Sequence, residues 1–396
     1  MTAILALFVL VACGSGDDES VDDLPFAESE DQDGTSAPVD GAGGNDGGRS
    51  TTPTTAGSGL PPVTTIVGWP GGDPDNIYAG RLGQLGLSEM VVTPVVPPPT
   101  VEPGVLPLTG VRAADAIGDE VPDRAAAVVK IDNGPAAYPQ TGLNAADIVI
   151  EEEVEGGVTR FAAIFHSRPS IVGPVRSART TDISLISSLG DPLLMYSGAN
   201  DITEMILRRQ PRIQNRSFGT SSGYWRDEQR RAPSNLYTDT APHWASAFGG
   251  SPPPQFAYRN EGEPAEGESV TEFAIDYAAS PASWQWTGQE WIRYQRGQRH
   301  ELDTGEPVTA ANVVVIEADR VGTGMVDASG GQVPEFVYVG TGPATVYTDG
   351  VRLDGVWTRP SLDSVATLTT TDGDVIELTP GRTWVQLIEV NAGLLR

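Results

Sequence analysis

Along 123–248 the apolar positions come in short runs with the spacing of buried strands, beginning with AAAVVKI ahead of Asp132. The runs 147–154 and 158–165 flank Glu155-Gly156-Gly157, and a two-residue Gly156-Gly157 loop predicts a hairpin with a primed turn. That turn would set Glu155 opposite Val158, Glu153 opposite Arg160, Glu152 opposite Phe161 and Asp147 opposite His166. Alternation then places Glu152 on the apolar face with Ile148, Ile150, Val154, Phe161 and Phe165, while Glu151 and Glu153 face the other way.

After the break GGSPPPQ and an acidic Gly/Glu/Pro loop, period-two segments rich in tryptophan (SWQW, EWIRYQ, NVVVIEA, TWVQLIEV) predict a second, mostly β domain. Asp349-Gly350 and Asp354-Gly355 read there as turns. Trp284, Trp286, Trp291, Trp357 and Trp384 read first as core, with stacking on sugar rings as the alternative. The fold class expected is α+β in two domains: a mixed α/β sandwich-like unit over 122–250, a linker over 251–269, and the mostly β unit over 270–396.

The first 121 residues follow other rules. The apolar run 3–12 is too short to span a bilayer and ends at Cys13, as in a lipoprotein leader whose mature chain would start at a lipidated cysteine. No Lys or Arg precedes the run, although a secretory leader normally has one. From 14 to 121 the chain is acidic, then Gly/Ser/Thr-rich, then Pro-rich, which predicts a disordered tether, with 76–90 as a segment able to form a transient helix or docking motif.

Composition narrows the function. A net charge of -28 repels nucleic acid, and the single cysteine excludes disulfides and thiolate metal clusters within the chain. His166, His243 and His300 lack close ligand spacing and no G-x-S-x-G elbow is present, so no metal, no cofactor and no serine or cysteine nucleophile is expected.

The motifs VVKIDN, YPQTGLNAADIVIEEEVEGGVTRFAAIFHS, VGPVRSARTTDI and RRAPSNLYT, with VYTDGVRLDGVWTRP and DGDVIELTPGRTWVQLI further on, together resemble the YerB-like lipoprotein family. The resemblance implies a bacterial cell-envelope lipoprotein with an α+β body, held by its lipid at the outer face of the cytoplasmic membrane. It implies no known reaction.

In GPVRSARTTDISLISSL two arginines precede a helix that Thr180 or Thr181 could cap, an arrangement suited to anions. Glu152, Arg176 and Arg179 are therefore the central ligand-binding candidates, and a buried Glu152–arginine pair with no ligand is the competing structural reading. Asn133, Asn200, His166, Arg231 and Asn235 join them at strand ends, each taken alone reading first as a turn or cap residue. The function expected is a binding or scaffolding module for an anionic envelope ligand, peptidoglycan or a related polymer, or for an envelope protein. The alternative is a glycan-cleaving hydrolase with Glu152 as its acid and Glu151 or Asp201 as partner.

Overall fold

The run AVVKID forms β1 (Ala127–Asp132), buried along its whole length. It lies antiparallel to β3 (Thr159–Phe165) and parallel to the strand Leu193–Tyr196, while β2 (Ile148–Glu153) takes the other side of β3. The computed structural model describes residues 96–326 and 330–390 and the backbone of 394–395. The leader 1–13 with Cys13, and the tether from 14 to 95 with its segment 76–90, lie outside the described residues.

β2 pairs in parallel with Thr383–Glu389, which pairs in parallel with the long strand Asn312–Val326. Segments 122–250 and 270–396 thus contribute to one 12-stranded sheet, whose ordered path runs from Glu268–Ser269 to Gln214–Ser217. The fold is α+β, strand-rich with a few short helices. The linker 251–269 is itself engaged, through Ala257–Tyr258 beside Glu377–Leu378 and Glu268–Ser269 at the sheet end.

Both faces of the sheet are covered, which is why its central strands tolerate near-continuous apolar runs. On one face Ile148, Ile150, Ile164 and Leu387 pack with Ile183, Ile186 and Leu207 from the helices Thr181–Ile186 and Asp201–Arg208. On the other, Phe161, Val149 and Trp384 pack with Phe273, Trp284 and Trp291 from a six-stranded sheet. Trp284, Trp291, Trp357 and Trp384 are core, and Trp286 is half-buried.

Two local expectations are corrected. The tether does not extend to 121: Leu106, Leu108 and Ala113 are buried, Leu108 O accepts from Tyr258 Oη at 2.7 Å, and Thr109 O accepts from Gly381 N at 2.7 Å. The two leucines dock it as a strap of turns that ends in the short helix Ala113–Ala116. Asp349-Gly350 is the two-residue turn expected, both residues at positive φ, but Asp354-Gly355 lies inside the strand Val351–Arg359. Glycine is required there because a Cβ would meet Thr369 O at 2.2 Å.

Candidate functional site

The hairpin register differs from expectation by one residue. Val154 N donates to Val158 O at 2.8 Å and both Gly156 and Gly157 have positive φ, so three residues, Glu155 to Gly157, make the loop. Glu152 therefore stands opposite Arg160, Glu151 opposite Phe161 and Glu153 opposite Thr159. The cause is Glu155, which leaves the strand to accept from Arg179 through Nε at 2.6 Å and Nη2 at 2.7 Å.

Glu152 is buried as expected, but its partner is neither Arg176 nor Arg179. Lys130 Nζ, from β1, lies between Glu152 and Asp182 and contacts Asp182 Oδ1 at 2.6 Å, with all three side chains sealed from water. One ammonium faces two carboxylates. Burial, opposed by Lys130 and reinforced by Asp182, pushes the Glu152 carboxyl up. Glu152 Oε2 has no hydrogen-bond partner among the described residues.

Glu151 is not exposed on an outer face, because that face is covered too. Arg293 Nη2 donates to both of its oxygens at 2.9 and 2.8 Å, Thr159 Oγ1 donates at 2.7 Å, and Trp384 Nε1 reaches Oε2 at 3.3 Å. Arg293 Nη1 donates to His300 Nδ1 at 2.8 Å, so His300 Nε2 carries the proton and donates to Gln140 Oε1 at 2.8 Å. Burial beside Arg293 holds His300 well below the usual imidazole range. Asn133 belongs to this network: Nδ2 donates to Thr159 Oγ1 at 2.6 Å and Gln295 Oε1 at 3.0 Å, and Oδ1 accepts from Tyr138 Oη. Glu153 pairs at 3.0 Å with Arg320, not with Arg160.

The helix Thr181–Ile186 offers no open N-terminus. Neither Thr180 nor Thr181 caps it by side chain; Asp182 Oδ2 accepts from Arg179 N at 2.7 Å instead. With Arg179 clamped by Glu155, two arginines remain at the carboxyl end of β1. Arg176 is half-buried with Nε 3.2 Å from Asp132 Oδ2, and that carboxylate also accepts from Ser234 Oγ at 2.8 Å. Arg160 donates to Ser177 O at 2.8 Å and forms no carboxylate ion pair among the described residues. Burial, with the charges of Arg179 and Arg176 adding to it, brings Arg160 down to about 10.

The other candidates separate. Asn200 caps the helix Asp201–Arg208 by accepting from Thr203 N at 2.9 Å. His166 is a buried strand-end residue whose Nε2 faces Pro122 O at 2.9 Å and whose backbone N donates to Asp147 Oδ2 at 2.5 Å. Asn235 organises the loop 226–235, accepting from Arg226 Nη1 at 2.6 Å and donating to Asp227 O at 3.3 Å. Arg231 is exposed; its neighbour Arg230 holds the loop through Ala136 O at 2.9 Å and Pro139 O at 3.0 Å. Sequence reasoning missed Lys130, Arg160 and Arg293. A lysine inside an apolar strand was the legible signal for the first; Arg293 is 142 residues from its partner and gave none.

No group of metal-ligating side chains occurs among the described residues, and no described helix is long and apolar enough to cross a membrane.

A strand-rich α+β body sharing one sheet between two sequence segments is the class that this fold defines. The chain belongs to the family described as protein of unknown function (DUF3048), whose N-terminal domain matches residues 108–249 and whose C-terminal domain matches 273–385. It is 26% identical over 316 residues to a Bacillus subtilis (strain 168) protein named "Putative lipoprotein YerB", covering 74% of this chain and 88% of that one. The crystal structure of YerB from Bacillus subtilis superposes with a TM-score of 0.60 at 24% identity, over 72% of this chain and 96% of the other, a likeness of fold.

Proposed function

We propose that this chain is a lipid-anchored protein of the outer face of the cytoplasmic membrane, with Cys13 as the anchor, whose body binds an anionic envelope polymer at the edge formed by Arg160 and Arg176. The kinship with a protein named as a lipoprotein and the Leu10-Val11-Ala12-Cys13 sequence support the anchor. The observation that carries the binding reading is the exposure of Arg176: of the three arginines gathered at the carboxyl end of β1 it is the one that solvent reaches, its side chain 28% exposed, on a chain of net charge -28. A carboxylate or phosphate beside Arg176 would meet the paired donors of its guanidinium fork. The burial of Glu152, 1% exposed and facing Lys130, weighs for the binding reading over the hydrolase alternative.

The test is co-sedimentation of the protein with purified peptidoglycan and with wall polymer, followed by mass spectrometry of the soluble products. Retention that drops in Arg176→Ala, with no new fragments, supports the module. Retention indifferent to Arg176→Ala, or released glycan fragments, overturns it.

A further inference from the structure

The loop 226–235, whose Ser234 donates to Asp132 beside Arg176, builds a second surface through its other residues. The strands Tyr224–Arg226 and Leu236–Asp239 pair antiparallel with Trp225 opposite Tyr237. Their rings stack at 6.2 Å with planes 21° apart, and Trp225 is 41% exposed. An indole left this open is uncommon in a chain whose other described tryptophans pack inside or half inside. The platform is rigid, because Arg230 donates to Tyr237 Oη and to three carbonyls of the 136–139 loop.

This platform floors an open groove of about 490 Å³, within the roughly 300–1,000 Å³ usual for small-ligand sites. Its walls are polar. Asp227, Glu228 and Asp303 contribute carboxylates to the lining, and Asp303 accepts from Thr141 Oγ1 at 2.6 Å. Arg226 is the one basic group in the lining, so three carboxylates face one guanidinium. That balance disfavours an anionic polymer here and favours a neutral ligand rich in hydrogen-bond donors. A pyranose ring has this chemistry: a C–H face for a flat aromatic surface, and hydroxyl or amide N–H groups around its rim for carboxylate acceptors.

We propose that the Trp225–Tyr237 groove is a saccharide-binding site for a neutral oligosaccharide, independent of the Arg160–Arg176 edge.

Isothermal titration of the full protein with chitotetraose and with cellotetraose tests this. Saturable binding of at least one of them is expected, with Kd in the micromolar to millimolar range. Trp225→Ala should weaken it about tenfold or more while leaving circular dichroism unchanged, and Trp225→Phe should recover part of the loss. Asp303→Asn should weaken it less, and Arg176→Ala should leave it unchanged, so a failed anion site and a failed saccharide site give different results. No saturable binding of either sugar, equal binding by Trp225→Ala, or binding only of a lysine-rich peptide would overturn the proposal.

Discussion

Arg293 and Glu151 meet at 2.8 Å with neither side chain exposed, and their ion pair fastens a strand of the N-terminal family domain to one of the C-terminal family domain. Removing either partner strands a charge in the core. Glu151→Ala and Arg293→Ala should each cost about 3–5 kcal/mol in urea melts. Glu153→Ala, which breaks the partly exposed pair with Arg320, should cost no more than about 1 kcal/mol. Equal sensitivity at 151 and 153 would mean that the sheet is not covered on its second face.

The triad Glu152–Lys130–Asp182 makes a different forecast. Lys130→Met should destabilise by about 3–5 kcal/mol, since two buried carboxylates lose the ammonium that ion-pairs with both. Glu152→Gln should be far milder. Because burial raises Glu152 above its ordinary 4.5, its contribution is fully present below the unfolded value and is lost as pH rises through the folded one. The stability gap between the natural protein and Glu152→Gln should therefore shift in the variant's favour on going from pH 4.5 upward. A gap that is flat with pH would show that Glu152 titrates normally.

His300 shifts the other way. Its folded pKa lies well below 6.5, so its contribution is present above the unfolded value and is lost as pH falls. Melting temperature should drop below about pH 6.5, and His300→Gln should flatten that acid limb. An unchanged slope in the variant would exclude His300 as the source.

Arg176 and Arg179 should part company. Arg179→Ala breaks a buried bidentate pair and should cost about 3–5 kcal/mol, whereas Arg176→Ala, at 28% side-chain exposure, should cost about 1 kcal/mol or less. Chemical denaturation of the two variants decides it, and the reverse order would move the exposed cation to Arg179.

The strap can be tested by single truncations. Leu108→Ala should lose about 2–5 kcal/mol, because Leu108 is 1% exposed in the main core. If the substitution leaves unfolding unaltered, the segment contributes nothing to the fold.

Much of this protein was legible along the chain. Apolar runs marked β1, β2 and β3, and the bulky rings of Trp284, Trp291, Trp357 and Trp384 marked a core, because strand periodicity and burial are local consequences of side-chain type. The burial of Glu152 followed from alternation alone. What alternation could not supply was that both faces of β2 are covered, since the covering elements, including Trp384 and Arg293, come from the far end of the chain. The register was missed because Glu155 is pulled out of the strand by Arg179, an energy that exists only once the loop 173–180 folds back upon the hairpin. The same reason explains the site. The sequence presented PVRSAR as a pair of arginines, and only tertiary contact decided that Arg179 is spent on Glu155 while Arg160 joins Arg176 at the edge.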